Sequence, residues 1–114
     1  MRLTLPTLAV TALLGSTPAS ATTTRYAYET GYWNTNGGDW FRESNDEGTL
    51  LANRQSALMD SLASMYRTTG DPTYLDRLAY HVDGVLETRD DARHVIDYRG
   101  EESPCWQDLH YSYG

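Results

Sequence analysis

"YRTTGDPTYLDRL", residues 66–78, reads as the end of one helix, an abrupt corner and the start of another. Gly70 supplies the left-handed residue that closes a helix without a Cβ penalty. Asp71 can cap the next helix, and Pro72 suits its first position, where a missing N–H does no harm.

Upstream of the corner, Leu51, Leu58, Leu62 and Met65 recur at helical spacing and predict a helix from about Glu47 to Thr68. Ser44 and Glu47 form an S-x-x-E capping box, and Asp46 and Glu47 stand where the helix dipole favours acids. Met59 and Tyr66 widen the apolar stripe, while Arg54 and Gln55 interrupt it. Downstream, Leu75, Leu78, Ala79, Val82, Val85 and Leu86 predict a one-faced helix from Pro72 to about Glu87, with Asp76, Arg77, Asp83 and Glu87 outside. So short a corner makes the pair antiparallel. The expected fold class is all-α: a single αα-hairpin over residues 46–89 with long aromatic loops.

The flanks are less regular. In "RYAYETGYWNTNGGDWFRESN", residues 25–45, the even spacing of Tyr26, Tyr28 and Tyr32 permits a short strand. Gly31 and the Asn34–Gly38 run punctuate it heavily, so residues 22–45 read mostly as an aromatic loop segment. Residues 90–114 read as an irregular loop leading towards a missing next repeat. Residues 1–21 carry one basic residue (Arg2), an apolar run from Leu3 to Leu14, and a small-residue end at Ala19-Ser20-Ala21. That is the pattern of a secretory signal peptide, too short and Thr-rich for a good membrane span. The chain is therefore expected to be secreted.

The 114-residue sequence has a net charge of −7, and losing Arg2 with the leader makes it −8. Nucleic acid and anionic lipid both demand a basic face, so neither is an expected partner. Cys105 is the lone cysteine, so no internal disulfide can compensate for a thin core. One hairpin without sibling hairpins leaves oily flanks, and the chain is expected to be an incomplete domain, marginally stable alone.

Two stretches, "MYRTTGDPTYLDRLAYHVDGVLETRDD" (65–91) and "DYRGEESPCWQ" (97–107), resemble one hairpin of the secreted six-hairpin glycosidase-like (α/α)6 toroids. Among these the chain is most similar to glucuronyl C5-epimerase and polysaccharide-lyase toroids, over roughly residues 32–107. Tetratricopeptide-type repeats also use a "TGD-x-x-YL" corner, but the aromatic stretch ahead of the helix and the Cys-Trp-Gln loop behind it favour the toroid. The resemblance implies inner and outer helix rings with sugars bound at one end, and most of that ring is absent here.

Glycoside hydrolysis needs two carboxylates flanking the sugar, while uronate elimination or epimerisation needs a base and a cation that holds the carboxylate. Asp39, Asp46 and Glu47 lie near the end that corresponds to the sugar-facing rim, with Asp46 and Glu47 the leading catalytic candidates. Acids in a first turn also serve the cap and the dipole. Arg54 and Gln55 can meet a sugar carboxylate or hydroxyl, or else form a buried hydrogen-bonded pair. Trp33 and Trp40, with Tyr32 and Phe41 beside them, can stack on sugar rings, as can Tyr98 and Trp106; packing over the helices uses the same rings. His81, His94 and His110 share no metal spacing with each other or with Cys105, so neither a metal nor a cofactor is expected.

Two functions follow as expectations. The first is a fragment of a secreted carbohydrate-active protein that binds or processes acidic polysaccharide and is inactive alone. Its parent would be a glycoside hydrolase, polysaccharide lyase or uronate epimerase. The alternative is a small helical-repeat module that binds a protein partner.

Overall fold

In a computed structural model of the chain, residues 18–44 and 50–107 are described. Residues 1–17 of the expected 1–21 leader, the capping-box member Glu47 and the helix start around it lie outside those residues. The protein is all-α: among the described residues there is no strand, only an isolated bridge between Ile96 and Glu102.

The corner forms as its residues dictate. Helix α2, Ser56–Thr69, ends at Gly70 in the left-handed conformation (φ 68°), whose N–H donates to Tyr66 O at 2.8 Å. The Thr69 hydroxyl donates to Met65 O and accepts from Asp71 N–H at 3.1 Å, which satisfies a terminal carbonyl and an orphan donor together. Helix α3, Pro72–Glu87, starts with Pro72 in its first turn, and Asp71 Oδ1 accepts from Thr73 N–H at 3.0 Å. Ahead of α2 the helix runs in π register over Leu51–Gln55.

The segment that reads as an aromatic loop is largely helical. Helix α1, Pro18–Tyr28, continues in π register through Glu29–Trp33 and closes with a turn at Asn34–Asn36. Tertiary contacts override its punctuation. Tyr28 meets Tyr74 edge-on at 5.6 Å, and the Tyr28 hydroxyl bonds Ser61 Oγ at 2.7 Å. Arg25 pairs with Asp71, while Glu29 pairs with Arg77 and accepts from the Tyr74 hydroxyl. Burial and that Glu29 bond push the Tyr74 phenol up to about 12. Gly31 is exposed and would meet nothing with a Cβ, so it weakens the helix by about 1 kcal/mol without ending it.

The core is small: Leu58, Leu62 and Met65 of α2 and Tyr74 of α3, with Tyr28, Tyr32, Trp33, Trp40 and Leu78 packed against it. Full burial of Leu58 and Leu62 contributes about 1.5–3 kcal/mol each. A short 3-10 turn, Trp40–Glu43, presses Phe41 onto α3 at Gly84.

The inward face of α3 is not the aliphatic stripe. Its buried positions are Tyr74, His81 and Gly84, whereas Leu75, Val82 and Leu86 remain 40%, 41% and 48% exposed. The aromatic residues of α1 and Phe41 take the inner side, which turns the leucine-rich stripe outward. The expected oily flanks are thus half covered.

Candidate functional site

The turn between Asn34 and Trp40 stands over the helix pair and opens a cleft on each side. The larger, about 450 Å³, lies between this turn and the start of α2. Tyr32, Thr35, Asn36 and Trp40 form one wall, and Asn53, Arg54 and Ala57 the other. The Arg54 guanidinium stands 5.7 Å from the Trp40 ring centre. It enters no ion pair among the described residues, although seven such pairs form elsewhere in them. Asn36 is fixed by its side-chain N–H bond to Tyr32 O at 3.0 Å. An aromatic face, a cation with no ion pair among the described residues and two amides therefore share one open surface. That set can stack on a pyranose ring while holding a carboxylate and hydroxyls.

The smaller cleft, about 320 Å³, runs between Trp33, Gly37 and Gly38 on one side and Asp76, Arg77, Tyr80 and His81 of α3 on the other. Here Arg77 and Asp39 already have partners. Arg77 stacks 4.1 Å from the Trp33 ring centre and bonds Glu29 at 2.8 Å. Asp39, at the cleft edge, accepts from the Tyr80 hydroxyl at 3.1 Å, and that hydroxyl accepts from Arg42.

Between the clefts, Gln55 and His81 meet inside the protein, with Gln55 Nε2 2.7 Å from His81 Nδ1. Burial holds the imidazole below its usual value of 6.5, and Asp39 opposes that shift in part. The side-chain oxygen of Gln55 has no hydrogen-bond partner among the described residues.

The sequence candidates separate clearly. Trp40 and Arg54, picked out independently, meet in the larger cleft. Trp33 lines the smaller one, under Arg77. Gln55 is fully buried and bonds His81, which matches the buried-pair alternative rather than an open contact surface. The Trp106 indole N–H donates to Val85 O at 3.0 Å and Thr88 Oγ1 at 3.3 Å, which places Trp106 half-buried against the end of α3 and outside both clefts. Tyr98 is 96% exposed, with the Arg99 guanidinium 5.7 Å from its ring centre, and lines neither cleft. Asp46 and Glu47 lie outside the described residues. Asn36, Asn53 and Thr35 were not anticipated; in the sequence only the neighbours of Asn53, Arg54 and Gln55, hint at it.

Among the described residues no three His, Cys, Asp or Glu side chains gather as metal ligands, and no helix is long and apolar enough to cross a membrane. Comparison with known proteins finds no matching family model, no matching curated protein and no matching solved structure.

Proposed function

We propose that the chain binds an acidic oligosaccharide in the Trp40–Arg54 cleft, as one helical hairpin of a secreted protein of the six-hairpin toroid type. The observation that carries this reading is the Arg54 guanidinium over the Trp40 ring, without an ion pair among the described residues and with Asn36 and Asn53 in the same cleft. A uronate offers matching chemistry. Its ring C–H face packs on indole, its carboxylate accepts the guanidinium fork, and its hydroxyls reach the amides. Binding without turnover is the activity assigned to this chain alone; Asp39, the acid within the turn, accepts from the Tyr80 hydroxyl and does not line the Trp40–Arg54 cleft.

Titration calorimetry with uronate oligosaccharides and their neutral, carboxyl-reduced counterparts tests the reading. The expected result is weak binding that prefers the acidic series. Arg54→Ala should remove that preference, worth about 1.5–3 kcal/mol for a charged hydrogen bond, while Trp40→Ala should weaken both series. Equal binding of both series by the unaltered chain, or binding indifferent to Arg54→Ala, would refute it.

A further inference from the structure

On α3, Leu75, Ala79, Val82 and Leu86 follow one another at i, i+4, i+7 and i+11, and all four are exposed. That spacing makes a straight apolar seam along three helical turns. The seam is distinct from the inward face, which runs through Tyr74, His81 and Gly84. Its outer flank is acidic. Asp76 and Asp83, seven residues apart and both exposed, stand on the same side of the seam and enter no ion pair among the described residues. Glu87 continues the row and lies within electrostatic reach of Arg42.

We propose that this seam docks the basic amphipathic helix of a separate protein, with aliphatic residues at heptad spacing and Lys or Arg along one edge. An apolar helix face recognised through i, i+3/i+4 and i+7 anchors is a general mode of helix docking. Charge selects this occupant over two others. A second copy paired antiparallel would set Asp76 and Asp83 beside their own counterparts, which is repulsive. An anionic lipid surface meets the same repulsion, heightened by a net charge of −7. The inference does not depend on sugar binding, because Trp40 and Arg54 line a cleft that includes no α3 residue.

The four-residue seam is well below the roughly 800 Å² per partner of a standard interface, so the affinity belongs in the micromolar range. The test is fluorescence anisotropy of a labelled synthetic helix of about 18 residues, five turns long. The peptide carries Leu at alternating three- and four-residue spacing and Lys seven apart on one edge, and its control has Glu in place of each Lys. The full chain is expected to bind the Lys peptide and not the Glu peptide, more weakly as salt rises. Asp76→Asn with Asp83→Asn should weaken binding about threefold to tenfold. Val82→Asp should abolish it, while Thr68→Ala, at an exposed position on α2, leaves it unchanged. Circular dichroism checks that Val82→Asp is folded, and Leu86→Ser serves in its place if it is not. Equal binding of the two peptides, no binding of either, or binding that survives both seam variants overturns the proposal. So does concentration-dependent self-association in sedimentation that Val82→Asp removes, which would identify a second copy as the occupant.

Discussion

Gln55 Nε2 and His81 Nδ1, 2.7 Å apart, join the start of α2 to the middle of α3 through a bond sealed from solvent. The imidazole accepts through Nδ1 when it is neutral, so its own N–H sits on Nε2. The pair replaces an aliphatic contact at the point where the leucine stripe of α2 is interrupted.

Removing one partner of this pair strands the other. Gln55→Leu or His81→Phe alone should each cost about 1–3 kcal/mol, whereas the double substitution should be close to neutral. Urea denaturation of the four chains measures the coupling, and additive single effects would contradict it.

Stability should fall as the medium is acidified below about pH 6.5. The folded imidazole titrates below its unfolded value, so the unfolded chain binds more protons in that window. The contribution is fully present above the unfolded pKa and is lost as pH drops through 6.5 towards the folded value. Thermal melts between pH 7.5 and 5 should show a declining Tm, with a visibly flatter profile for the Gln55→Leu/His81→Phe double variant.

Gly84 is needed for closeness rather than for backbone freedom. A Cβ there would stand 2.4 Å from Phe41 Cε2 and Cζ. Gly84→Ala should destabilise by about 1–3 kcal/mol despite its better helix propensity. Adding Phe41→Leu should recover part of that loss in chemical denaturation.

Gly70 is needed for its φ of 68°, in space that is otherwise open. Gly70→Ala should cost about 1–2 kcal/mol from the left-handed conformation alone. At the next residue, Asp71→Asn should keep the Thr73 cap and lose only the Arg25 charge pair, so its Tm should fall less than that of Asp71→Ala.

The corner and the α2 core were readable because each rests on local rules. Gly70, Asp71 and Pro72 act within four residues, and Leu58, Leu62 and Met65 keep helical spacing. Helix α1 was hidden because its partners are remote. Tyr28, Glu29 and Arg25 look like loop residues until Tyr74, Arg77 and Asp71 are placed beside them. The same hidden partner explains why α3 turns its tyrosine and histidine inward and its leucines out: aliphatic periodicity marks an apolar face but not which neighbour claims it. At the site, Trp40 and Arg54 were legible as residue types suited to sugars. Their meeting, and the arrival of Asn36 and Asn53, depend on the Asn34–Trp40 turn folding over α2, which no local pattern encodes.

Asp71 divides its two oxygens between Thr73 N–H and the Arg25 guanidinium. Arg25 leaves the ribosome 46 residues before Asp71, and Glu29 precedes Arg77 by 48. Helix α1 is therefore made before its anchorage exists, since that anchorage requires the bend to have been synthesised. Until then its tyrosines and tryptophan lack cover, which makes that interval in biosynthesis the one most exposed to proteases and chaperones.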